Sequence, residues 1–204
     1  MELAATCALP LARLGDFIEA LTYGPILPGR RPEPAAQGVV IIGQREVRPT
    51  GLVLDQATVV AEGSPYDLPR CRLRPGDVVL ARSGAGTLAK RRFTVFRGPA
   101  KATVSCFVDL IRLRGISPCC VVTFLRSGLG WPQVERLLRG VGMPNLSFAQ
   151  IRSLQVPLLP PEEQRAVEAA WGEVARLHGD GRLAEAQARL DEAAGELERR
   201  LRRP

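Results

Sequence analysis

Between Arg82 and Arg114 the sequence carries eight cations (Arg82, Lys90, Arg91, Arg92, Arg97, Lys101, Arg112 and Arg114) against a single acid, Asp109. Ammonium and guanidinium groups at that density are suited to neutralising phosphates. The head of the stretch, 82–92, joins the cations Arg82, Lys90, Arg91 and Arg92 to the hydroxyls of Ser83 and Thr87 and the backbone freedom of Gly84 and Gly86. DNA binding needs cations on phosphates for affinity and a few side chains on base edges for specificity, and this segment supplies both kinds. Its glycines look like those of a phosphate loop, but the Gly-Lys-Ser/Thr ending of a nucleotide site is missing. An ordinary solvated hairpin turn is the competing reading, because charge runs are often only exposed faces.

A second cluster lies earlier in the chain. Arg30 and Arg31 fall in a Pro/Gly-rich stretch, 24–38, and Gln44, Arg45 and Arg48 follow the apolar run that starts at Gly38. In the major groove Gln pairs bidentately with adenine and Arg with guanine. Loop residues that merely confer solubility would look the same. Asn145 and Ser147 read as helix caps, Trp171 as the anchor of a helix interface, and His178 as a solvent-facing residue at a helix end.

Other chemistries lack their residues. His178 is the one histidine, and it lies far in sequence from any strand loop bearing a serine or cysteine nucleophile. The cysteines Cys7, Cys71, Cys106, Cys119 and Cys120 form no CxxC pair, so neither a disulfide framework nor a zinc site has its usual spacing. A signature for binding a methyl donor is also missing. The expectation is a binding protein rather than an enzyme, with no cofactor and no metal, whose chemistry comes from a partner.

The whole chain has 204 residues and a net charge of +7, which favours an anionic partner only weakly. Location says more: from Pro161 onward ten carboxylates face eight arginines, so the positive field belongs to the middle of the chain. No 18-residue apolar run is present and Met1-Glu2-Leu3 lacks a basic leader, so a cytoplasmic protein with no membrane partner is expected.

These residues need elements to hold them. Asp16 is placed to cap a short helix carrying Phe17, Ile18 and Leu21 on one side. Runs at 38–42, 57–61, 77–81, 93–96 and 103–108 are short, rich in β-branched residues and bounded by Gly, Pro and charge, as strands are. Helices are expected from Ser117-Pro118, from Pro132, and from Ser147 with Gln150 as a capping box, before a closing edge strand at 155–159. Beyond Pro160-Pro161 two helical stretches flank a break at His178-Gly179-Asp180-Gly181. Val167, Trp171 and Val174 recur on the first. Leu183, Leu190 and Leu197, seven apart, with Leu201 beside them, form a heptad-like, coiled-coil stripe on the second. Such stripes need an apolar partner, internal or external, and a homodimer through these helices is one answer. The expected fold class is α+β: a curled mixed or antiparallel sheet with short helices over 1–160, then a helical arm or hairpin over 161–204.

In order along the chain stand Leu14-Gly15-Asp16, then Pro75-Gly76-Asp77-Val78-Val79-Leu80, then Gly84 and Gly86. After them come Phe124-Leu125-Arg126-Ser127, Asn145-Leu146-Ser147, and Val156-Pro157-Leu158-Leu159-Pro160-Pro161-Glu162-Glu163-Gln164 entering a helix. This series resembles the target-recognition domain of type I restriction-modification specificity subunits, and the proline-to-helix junction is its most specific piece. In that family two recognition domains, separated by long helices, each read half of a split DNA site. The resemblance implies a half-length subunit that binds double-stranded DNA and directs a separate DNA adenine methyltransferase subunit, with a restriction subunit as a further partner. The 161–204 arm would then serve dimerisation or methyltransferase docking. The break at Gly179 to Gly181 departs from the family's single long helix. The alternative from another class is a basic β-rich module for RNA or protein, with a helical oligomerisation tail.

Overall fold

The computed structural model describes residues 3–82, 90–138 and 145–202. Its elements begin with a one-turn helix α1 (Leu3–Thr6), strand β1 (Leu11–Arg13), a 3-10 turn (Leu14–Phe17) and β2 (Ile18–Tyr23). Strands β3 (Val39–Ile42), β4 (Val47–Arg48), β5 (Gly51–Leu52), β6 (Thr58–Val60) and β7 (Val78–Ala81) follow, then β8 (Phe93–Val95), β9 (Ala102–Val104) and β10 (Val108–Leu113). The chain then turns helical: α2 (Pro118–Arg126), α3 (Trp131–Leu138), α4 (Phe148–Ser153), a short strand β11 (Gln155–Pro157), α5 (Pro161–Gly179) and α6 (Leu183–Leu201). This is the expected α+β class.

Two compact units form, one from 19–112 and one from 1–18 together with 113–204. The apolar stripe of the C-terminal helices is buried within the second of these units.

In the 19–112 unit a four-stranded sheet has the order β2-β10-β7-β8, and a three-stranded sheet the order β6-β3-β9. β3 pairs antiparallel with β6 and parallel with β9. Ile42, Val47, Cys71, Leu73, Val79, Phe96, Val104 and Leu110 build the core. The Pro75-Gly76-Asp77 segment is a turn into β7: Gly76 adopts φ +93, and the Asp77 carboxylate accepts the Arg74 N–H at 2.7 Å. Arg112 then donates to both oxygens of Asp77, at 2.8 and 2.7 Å. Asp77 is only 2% exposed, and this bidentate partner offsets its desolvation.

Two expectations need correction here. The helix expected from Asp16 through Leu21 is instead a 3-10 turn followed by strand β2. Ile18, Thr22 and Tyr23 favour extended backbone, and the four-stranded sheet supplies the neighbour. The single strand expected at 103–108 is two strands, β9 and β10, separated by a turn at 105–107.

The second unit begins with β1 paired antiparallel to β11. Ser147 and Gln150 make the reciprocal capping box at the head of α4. Ser117 holds the N-cap position of α2 but makes no cap bond; its hydroxyl donates to Glu168 at 2.8 Å. α5 and α6 form a hairpin closed by a Schellman turn, in which Gly181 takes φ +75, its N–H donates to His178 O at 3.1 Å, and the Arg182 N–H donates to Leu177 O at 2.9 Å. Arg189 to Glu173 at 2.5 Å and Arg200 to Glu163 at 2.6 Å tie the two helices together at the surface. Trp171, 1% exposed, donates its indole N–H to Thr123 Oγ1 of α2 at 2.9 Å.

Candidate nucleic-acid interface

Arg82 leaves β7 and residues 90–92 enter β8 at one end of the four-stranded sheet, where Leu80 faces Phe93 and Ala81 faces Val108. Ser83 and Thr87, read as hydroxyl contacts, lie outside the described residues. Lys90 is exposed, and Arg91 and Arg92 are half-buried. Arg91 has φ +48, a left-handed conformation that turns the chain into β8, and the Phe93 N–H bonds back to Arg91 O at 2.9 Å.

Arg82 is held inward. Its guanidinium lies 4.2 Å from the centre of the Tyr23 ring, and its Nε stands 3.3 Å from Asp109 Oδ1. That contact is an ion pair without hydrogen-bond geometry. Asp109 is 0% exposed, and burial pushes its carboxyl up to about 7 while Arg82 pulls it down. Arg112 is likewise committed to Asp77, and Lys101 to Glu62 at 2.6 Å. The cation run therefore divides into charges that build the unit and charges, such as Lys90, that face solvent.

Ser105 gathers the surrounding loops. Its N–H donates to Ile42 O at 2.9 Å, where β3 leads into the turn carrying Gln44 and Arg45. Its carbonyl accepts the Gly24 N–H at 3.1 Å, and a Cβ on Gly24 would lie 2.0 Å from Val104 O, so only glycine permits this approach. The Ser105 hydroxyl accepts the Phe107 N–H at 3.3 Å, and Phe107 O accepts the Arg82 N–H at 3.0 Å. The 43–48 turn is thus joined to the root of the 82–92 loop through 105–107.

Within that turn the Glu46 carboxylate accepts the Gly43 N–H at 2.8 Å. Arg45 is exposed, Gln44 half-buried, and the Arg48 guanidinium folds onto the carbonyls of Arg45 and Val47. Arg30 and Arg31 are placed elsewhere. They are exposed and line an open cleft of about 470 Å³ with Val60, Ser64 and Tyr66, whose hydroxyl donates to Arg30 O at 3.0 Å. Val60 pairs with Val39 at the start of β3, whereas the Gln44 turn follows its end, so the length of β3, roughly 10 Å, separates the two.

Of the helical residues read as a partner interface, Val167, Trp171, Val174, Leu190, Leu197 and Leu201 are each 5% exposed or less and form the inside of the hairpin. Leu183 remains 43% exposed. The stripe finds its apolar partner within the chain. His178 is half-buried in the last turn of α5. Cys7, Cys71, Cys119 and Cys120 are buried free thiols, and Cys106 is half-buried. Among the described residues no group of three His, Cys, Asp or Glu is placed to hold a metal, and no helix is long and apolar enough to cross a membrane.

Sequence reasoning missed Tyr23, Ser105 and Phe107. The Ser105-Cys106 pair inside an otherwise apolar run was the available signal of a turn.

No protein-family model matches the chain, and no curated protein matches it. Solved structures do. A chain from a study of complex assembly and conformational transition of the type I R-M system is 17% identical with TM-score 0.57, over 91% of this chain and 45% of that one. The HsdS subunit from Thermoanaerobacter tengcongensis is 21% identical with TM-score 0.53, over 88% of this chain and 45% of that one. The type I restriction-modification S subunit from M. genitalium is 10% identical with TM-score 0.52, over 88% and 41%. The fold is that of these subunits, and the chain spans less than half the length of each.

Proposed function

We propose that this chain is a DNA-recognition module of a type I restriction-modification specificity subunit, binding one half of a split double-stranded site. The observation that carries the reading is the hydrogen-bonded link, through residues 105–107, between Arg82 at the exit of β7 and the turn that follows β3. The likeness of fold to solved specificity subunits supports it. Lys90, Arg91, Arg92 and Arg45 serve the phosphate backbone, and Gln44, beside Arg45 in the 43–48 turn, offers an amide to an adenine edge. Arg82 and Arg48 position the loops that carry these groups, and Arg30 with Arg31 forms an outlying phosphate contact.

The chain itself performs no bond chemistry and works in the cytoplasm, where a separate DNA adenine methyltransferase, with or without a restriction subunit, acts on the site it marks. Residues 161–204 are the docking element. Because Val167, Trp171 and Leu190 are buried within the hairpin, a methyltransferase or a second copy would meet its outer, charged face and Leu183. Selection from random-sequence duplex DNA, with the chain alone and with its methyltransferase, tests the reading. One enriched motif supports it, and no enrichment in either arm sinks it.

A further inference from the structure

Phe107 is 55% exposed, unusual for a phenylalanine, in a unit whose other phenylalanines, Phe93 and Phe96, are buried. It is not a loose side chain on a loose loop. Its N–H is held by the Ser105 hydroxyl at 3.3 Å, its carbonyl takes the Arg82 N–H at 3.0 Å, and the next residue, Val108, is registered against Ala81 in the sheet. Both backbone faces of this turn are therefore fixed while the ring points away from the core. Through its carbonyl Phe107 is tied to Arg82, where β7 ends, and through Ser105 to the turn bearing Gln44 and Arg45.

An exposed ring costs free energy in water unless something apolar covers it. The surrounding cations restrict what that cover can be. They repel basic partners and attract a polyanion. Duplex DNA offers one apolar group on its major-groove edges, the thymine methyl, at the depth that a residue projecting past phosphate-binding cations reaches.

Resting on the DNA-recognition reading above, we infer that Phe107 is a specificity-determining residue that makes apolar contact with a thymine methyl of the recognised site. In this reading Lys90, Arg91 and Arg45 supply the backbone contacts. The ring adds nothing to phosphate neutralisation and everything it contributes depends on sequence.

The test uses the full chain, its selected duplex, a scrambled duplex, and duplexes in which uracil replaces each thymine in turn. For the wild type, one uracil position is expected to lower affinity about fourfold, the worth of one buried methyl. Phe107→Ala is expected to lose about tenfold on the selected duplex and to stay within about twofold of the wild type on the scrambled one, with an unchanged salt slope. It should also lose the uracil effect, and Phe107→Leu should keep part of it. Leu158→Ala, at an exposed apolar residue of the other unit, should change none of these values. The inference is overturned if Phe107→Ala weakens both duplexes equally, weakens neither, or retains the uracil effect. Should the wild type itself bind both duplexes alike, the DNA-recognition reading fails along with it; the former outcomes leave that reading intact.

Discussion

The guanidinium of Arg82 lies against the face of Tyr23, 4.2 Å from the ring centre, while its Nε sits 3.3 Å from the buried Asp109. One arginine thus fastens β2 and β10 to the exit of β7, at the point where the chain enters the basic loop. Its charge is spent within the protein. In the proposed DNA contact, what it supplies is a fixed root at the exit of β7.

Asp109 makes that root sensitive to pH. Burial raises its folded carboxyl from an ordinary 3.8 to about 7, so between those values the folded state holds a proton that the unfolded state does not. Its contribution to stability is complete below about pH 4 and is lost as pH rises through about 7. Asp109→Asn removes this ionisation. The stability of the variant relative to the wild type, measured by urea unfolding, should rise from pH 4 to pH 7 and level off above; a flat difference would contradict the assignment.

Arg112 and Asp77 form the second fixed point. Replacing Arg112 by Ala leaves a nearly buried carboxylate with only its backbone partner, at a cost of about 3 kcal/mol. Arg112→Lys should recover less than half of that, since one ammonium cannot reproduce the bidentate fork. Denaturant midpoints of the two variants check the order.

In the other unit, Trp171 packs α5 onto α2. Trp171→Ala should lose about 3–5 kcal/mol through the cavity it leaves, and Thr123→Val about 1 kcal/mol through the lost indole hydrogen bond. Calorimetric unfolding separates the two. Equal losses would mean that the hydrogen bond, not the packing, holds the helices.

How much of this was legible in the residues differs by element. β3, β6, β7 and β8 could be read because β-branched runs between Gly, Pro and charge have few other options. The two C-terminal helices and the break between them could be read from their apolar stripes and the glycines at 179 and 181; closure into a hairpin rather than a kinked arm could not, because it depends on the backbone that Gly181 adopts at φ +75. β2 could not: Phe17, Ile18 and Leu21 fit a helical face as well as a strand, and only pairing in the sheet decides. For the site, the basic loop was visible as composition. That Arg82 turns inward was not, because its partners Tyr23 and Asp109 are distant in sequence. The gathering role of Ser105 rests on backbone hydrogen bonds, which side-chain types do not encode.

Lys90 and Arg45 face solvent and belong to different loops of the candidate interface. Each change to Ala should weaken binding similarly for every duplex sequence and reduce the slope of log affinity against log salt by about one. The double variant should add the two, as checked by fluorescence anisotropy over a salt series.

A module that recognises a DNA sequence, as proposed above, differs from one that merely attracts a polyanion in the ratio of its affinities for the selected duplex and a scrambled one at physiological salt. Sequence recognition predicts a ratio of about 1,000 or more. A ratio near one, with affinity collapsing alike for both duplexes as salt rises, would contradict it.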